Sequence, residues 1–188
     1  MDFLNSLNWA VVCVAIMAII NMIGGFKKGL VKAIIDCVSL IVMSGITVLL
    51  SAVSKNYTDK QYTQMITMII MILIVSIGHR LIKAALGGIK LLAAIPVISI
   101  INKLAGAAFG LAQTVVIVWF ALCLVGMFDL GTVGEYINMY IADSKILTYL
   151  YENNLIVTLG EKILGPDFEI KAMDMILEQG KDIMKEFM

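Results

Sequence analysis

Of the 188 residues, 61% are hydrophobic and 15% charged, and the mean hydropathy is +0.97; a soluble domain carries roughly half apolar and a quarter charged residues. That balance excludes an ordinary cytosolic enzyme domain and places the chain in a membrane. The formal net charge of zero hides an asymmetry, because residues 1–128 hold nine Lys/Arg against three Asp/Glu and residues 129–188 hold five against eleven.

The first apolar run, Phe3 to Phe26, is 24 residues without a charge. A bilayer core of about 30 Å needs roughly 20 helical residues, with every backbone polar group bonded inside the helix. The first span is therefore set at 8–26, opening with Trp9 at an interface and carrying Asn21 as its one polar interior side chain. A cleaved leader would put its basic residues ahead of the apolar core, whereas here Asp2 precedes the run and lysines follow it. Gly24-Gly25-Phe26-Lys27-Lys28-Gly29-Leu30 then reads as the bend of a membrane hairpin. Its glycines Gly25 and Gly29 are assigned to turn chemistry, with Phe26 and Lys28 between them.

The second span, 30–53, is apolar apart from Lys32 and Asp36. A carboxylate inside a span faces protein or water, because charge in hydrocarbon costs up to about 3 kcal/mol. Lys28, Lys32 and Asp36 are four apart, so Lys32 and Asp36 form the expected intramembrane pair on one helix face. Ser39, Met43 and Thr47 continue roughly the same face. A short polar loop with Tyr57 and Tyr62 leads to the third span, 63–82. At its end His79, Arg80 and Lys83 form a basic cluster that snorkels to the headgroups. Its methionines, Met65, Met68 and Met71, read as apolar filler.

Residues 88–101 are uncharged over Leu91–Asn102, a stretch of 12 residues that contains Pro96. This is too short to cross and is assigned to an interfacial or re-entrant segment. The fourth span, 104–128, enters through Gly106 and Gly110, which share one face and admit a second backbone closely. Beyond it lies an acidic helical tail, 129–188. Asp143-Ser144 caps a short helix there, and Ile170, Met173, Leu177, Gly180, Met184 and Phe187 form a helical stripe expected to pack on a protein partner. The fold class is thus all-α, a polytopic membrane protein of four transmembrane helices with a helical C-terminal tail.

Lys/Arg counts orient it. Lys27, Lys28 and Lys32 at the bend and Arg80, Lys83, Lys90 and Lys103 around the third connection are set in the cytoplasm, leaving both termini extracytoplasmic. The basic residues flank apolar runs instead of lining a polar face with aromatics, so no nucleic acid is expected as a partner. The expected partners are the lipid bilayer, a protein for the tail and a second copy of the chain. Cys13, Cys37 and Cys123 lie in apolar runs, His79 is the one histidine, and no catalytic or phosphate-loop motif is present. Neither catalytic residues nor metal or cofactor are expected.

Gly25-Phe26-Lys27-Lys28-Gly29 together with Asn102-Lys103-Leu104-Ala105-Gly106-Ala107-Ala108-Phe109-Gly110 resembles the motif pair of the colicin V production protein family of bacterial cytoplasmic membranes, over roughly residues 8–128. Asn8, Ala33 and Gln113-Thr114 stand where that family's pattern has two acidic residues and a basic-glycine step. The resemblance implies a non-enzymatic membrane protein that supports toxin or bacteriocin production or secretion and envelope maintenance. The composition of the second span leaves an alternative, a small oligomeric channel or transporter whose polar path includes Lys32 and Asp36.

Overall fold

The structure, a computed structural model, describes residues 8–55, 61–87 and 99–164. Seven helices occupy them: α1 (Trp9–Lys28), α2 (Leu30–Lys55), α3 (Gln61–Gly87), α4 (Ser99–Met127), α5 (Thr132–Ala142), α6 (Lys145–Glu152) and α7 (Leu155–Leu164). No strand occurs among the described residues. The first four are long and apolar enough to cross a membrane, as expected from the sequence. The stripe at 170–187 lies outside the described residues.

Helix boundaries follow from local chemistry. Asn8 caps α1, its side-chain oxygen accepting from the Val11 N–H at 3.2 Å. Lys27 and Lys28 occupy the last turn, where cations complement the helix dipole. Gly29, at φ 78°, ends the helix and returns its N–H to the Gly25 carbonyl at 2.9 Å. A single residue separates α1 from α2.

α4 starts at Ser99, earlier than the expected 104, so residues 99–101 of the anticipated interfacial segment are helical. The polar pair Asn102-Lys103 marks a boundary in the sequence; in the fold Asn102 is used inside, accepting from the Leu30 N–H at 2.7 Å. Residues 88–98, with Pro96, lie outside the described residues.

The bundle is built around α2 and α4. They bury 44% of their membrane windows, against 6% for α1 and 11% for α3, so the latter two are the exposed flanks. α1 packs along α4, α4 along α2, and α3 along α2. The central core joins Cys37, Leu40 and Val48 of α2 to Met71 and Val75 of α3 and to Val116, Phe120 and Leu124 of α4. Ile156 and Val157 of α7 enter the same core. A second cluster sets Ile141, Leu147 and Tyr151 against Val118 and Leu122, with Val11 and Val14 of α1 beside them.

Residues 132–164 therefore close one end of the bundle. Asp129 donates its N–H to Gln64 Oε1 at 2.6 Å, and its own carboxylate accepts from the Gly131 N–H at 2.8 Å. Ser144 caps α6 through the Leu147 N–H at 3.3 Å. Asn154 is 2% exposed and does two things at once: its Oδ1 caps α7 at Ile156 N, 3.1 Å, while its Nδ2 donates to the Trp119 carbonyl, 2.9 Å. No sequence periodicity announces that second bond.

Candidate functional site

The end of the bundle opposite α5–α7 holds both glycine motifs and most of the intramembrane charge. Gly25 is buried on α1 and its Cα faces the backbone of Gly106; a Cβ on either residue would run into the other's carbonyl oxygen. Gly110 meets the Asn21 carbonyl in the same manner, one turn farther along. Asn21 Nδ2 donates to Thr114 Oγ1 at 3.0 Å, and that hydroxyl donates back to the Gly110 carbonyl at 3.3 Å. Small residues permit the close approach, and the interhelical hydrogen bonds add to the dispersion contact that drives association in lipid.

Gly29 takes the positive φ at the end of α1 and its backbone also abuts Gly106, whereas Gly25, assigned above to the turn, is a helical residue buried in the α1–α4 contact. Sequence spacing alone could not separate the two, because Gly25 and Gly29 show the same four-residue step as Gly106 and Gly110. Phe26 is exposed and lies 5.9 Å from the Lys103 ammonium, a cation–π contact between α1 and α4 at the same end.

Asp36 lies on the inner face of α2, with its side chain 4% exposed. It accepts from Lys28 Nζ at 2.6 Å and pairs with Lys83 Nζ at 2.9 Å. One carboxylate thereby ties the end of α1 and the third span to α2. Lys28 and Lys83 keep side-chain exposures of 44% and 35%, so both remain partly open at this end of the bundle while their ammonium groups reach the buried carboxylate. The expected Lys32–Asp36 pair is replaced by these two. Lys32 is exposed, one turn from Asp36 on the outer part of the helix. Four-residue spacing ranks partners within one helix, whereas the packing delivers Lys28 across the bend and Lys83 from 47 positions on.

The expected basic cluster also divides. Arg80 is exposed, whereas His79 and Lys83 turn toward α2. Ser39 Oγ donates to the Asp36 carbonyl at 3.0 Å and lies 2.7 Å from His79 Nδ1. The hydroxyl thereby bridges α2 and α3, its donor or acceptor role toward the ring set by the His79 tautomer. Ser39 is legible in the sequence only as a hydroxyl on the Asp36 face; its tie to His79 requires the α2–α3 register. Farther along α2, Ser44 and Thr47 are fully buried, and their side-chain oxygens have no hydrogen-bond partner among the described residues.

Chemically this is a set of fixed charges and small-residue contacts. Among the described residues no three His, Cys, Asp or Glu side chains converge as metal ligands would. Cys37 and Cys123 are buried, and Cys13 is exposed on α1.

A family model described as colicin V production protein matches residues 10–154. No curated protein and no solved structure matches the chain. The matched stretch contains both glycine motifs and the Asp36 ion pairs. It also runs past residue 128, the limit of the resemblance in the sequence motifs, and takes in α5 and α6. α5 packs on α1 and α6 on α4.

Proposed function

Since the chain belongs to the colicin V production protein family, which is not a known enzyme family, we propose that it is a non-enzymatic component of the bacterial cytoplasmic membrane supporting bacteriocin production or secretion and envelope maintenance. Family membership supports the role in bacteriocin production. The bundle acts as an anchor, and the segment 165–188, with its stripe from Ile170 to Phe187, engages a protein partner. The observation that carries the anchoring role is the use made of the intramembrane polar groups. Asp36 is closed off by Lys28 and Lys83, and Asn21, Thr114 and Asn102 bind one helix to another. These groups fasten helices and leave no free ionisable group pointing into the bundle among them.

The charge count orients this component with the Lys28 end in the cytoplasm and α5–α7 on the far side. Deleting residues 165–188 tests the reading. Loss of in-cell crosslinks to a partner, together with loss of bacteriocin release, is the expected result; a truncated protein that keeps its crosslinks and supports normal release would remove the partner role.

One observation favours a transport reading. Ser44 and Thr47 extend a buried polar line along α2 beyond Asp36 and Ser39. In that reading Asp36→Asn abolishes an ion or solute flux in liposomes while the fold is kept, and the oligomer supplies the rest of the pathway. Absence of any flux in the parent protein would end it.

A further inference from the structure

Two helices serve as rulers for depth. α1 has 20 residues, about 30 Å at 1.5 Å per residue, which matches the hydrocarbon thickness. Set upright across the bilayer, α1 puts Asn8 at one hydrocarbon boundary and Lys28 at the other. Asn8 Nδ2 donates to the Tyr140 carbonyl at 2.6 Å and to Asp143 Oδ2 at 3.3 Å. The junction of α5 and α6 is thus held at the boundary itself.

The second ruler is α4. From Lys103 at the basic end to Trp119 is roughly 24 Å of helix, short of the ~30 Å needed to leave the hydrocarbon. Asn154 Nδ2 is bonded to the Trp119 carbonyl. The junction of α6 and α7 is accordingly held several ångströms inside the boundary, and any tilt of α4 takes it deeper. α6 runs between these two junctions.

The apolar side chains agree with that depth, whereas Glu152 and Asn153, exposed beside the deeper junction, mark the polar side of the element. α6 turns Leu147 and Tyr151 onto the bundle and leaves Ile146 60% exposed. Ile146 borders a groove shared with Val11 and Val12 of α1, so its surface continues the apolar band of the first span. Asp143 and Lys145 form the polar rim of the same groove. α7 buries Ile156 and Val157 and exposes Leu155 and Leu159 one turn apart, with exposed Lys162 in the next turn. Exposed apolar groups followed one turn later by a lysine fit a helix that starts in the apolar layer and ends where a long cationic side chain can reach water. Tyr149, 64% exposed, suits the headgroup level.

We propose that α6 and α7 form a membrane-immersed interfacial element in the leaflet opposite the Lys28 end, with Ile146, Leu155 and Leu159 against lipid acyl chains. The backbone at the α6–α7 junction is tolerated there because Asn154 caps α7 and binds α4. The element makes the protein a four-span bundle with a half-inserted cap. The inference holds whichever leaflet faces the cytoplasm, and it does not depend on the proposed function.

The test uses the full chain in liposomes of phosphatidylethanolamine and phosphatidylglycerol, carrying Cys13→Ala with buried Cys37 and Cys123 retained. Single cysteines at Ile146, Leu155, Leu159 and Glu152 are spin-labelled, with Ile19 of α1 as the mid-span reference. Oxygen accessibility should exceed that of a water-soluble nickel chelate at 146, 155 and 159, as at Ile19, and the order should reverse at Glu152. All four test positions are exposed, so labelling leaves the packing intact. Nickel accessibility exceeding oxygen at the three apolar positions would overturn the proposal by placing the cap in water. Exclusion of both reagents would overturn it in favour of a protein occupant, such as a second copy.

Discussion

Asp36 shows how one residue's worth depends on partners that are remote in sequence. Its two lysines come from α1 and α3, and removing the carboxylate leaves both without their counter-charge at the membrane edge. Breaking a buried pair costs about 3–5 kcal/mol, and partial exposure of Lys28 and Lys83 screens the loss toward roughly 2–3 kcal/mol. Asp36→Ala should therefore lower thermal stability in detergent clearly, as followed by helical circular dichroism. Lys32→Ala should stay within about 0.5 kcal/mol of the parent, since the side chain is exposed. Equal losses in the two variants would restore the Lys32–Asp36 pair that spacing alone indicates.

Among the elements, the α1–α4 contact has the narrowest tolerance, and adjacent glycines probe it. A methyl group added at Gly24 would meet nothing within 4 Å, whereas one added at Gly25 would collide with the Gly106 backbone. A helical Gly→Ala change adds roughly 0.5–1 kcal/mol where space exists. Overpacking removes about 1–3 kcal/mol where it does not, and here the obstacle is backbone that cannot rotate away. Gly24→Ala should raise the unfolding midpoint and Gly25→Ala lower it, with Gly106→Ala lowering it as well. Matching shifts at 24 and 25 would show that α1 and α4 do not meet at this point. α3, by contrast, is fastened to α2 by a few specific ties, namely Asp36 with Lys83, Ser39 with His79, and Met43 against Gly78. Met71 and Val75 add core contacts, while Ile66, Ile69 and Ile77 on its other faces are exposed.

At the scale of the whole molecule, the two ends differ in chemistry. One gathers Lys27, Lys28, Lys32, Arg80, Lys83 and Lys103 around the single acid Asp36; the other is closed by α5, α6 and α7 with their acidic surface residues Glu135 and Glu152. The basic end should be cytoplasmic, because Lys and Arg in short loops are retained there. Single cysteines at Asn56, Lys90 and Glu135, on a background free of other reactive thiols, test this in intact cells with an impermeant maleimide. Labelling at 56 and 135 with protection at 90 is expected. The opposite pattern would invert the protein and send the search for partners of the C-terminal segment to the cytosol.

Run length and charge placement sufficed to read the four spans, the bend at Gly29 and the cap at Ser144, because each depends on residues close together in the chain. Hydrocarbon thickness converts an apolar run directly into a crossing, and a positive φ selects glycine locally. Tertiary packing alone decided that Gly25 lies against Gly106, which lysines neutralise Asp36, and where Asn154 sends its amide. Those outcomes depend on the register between helices separated by dozens of residues, and a register leaves no periodic mark on either partner. The same cause explains residues 132–164, which composition presents as an acidic tail and the fold draws back onto α1, α2 and α4. Their apolar faces are too short to act alone and acquire their meaning only from the surface they cover.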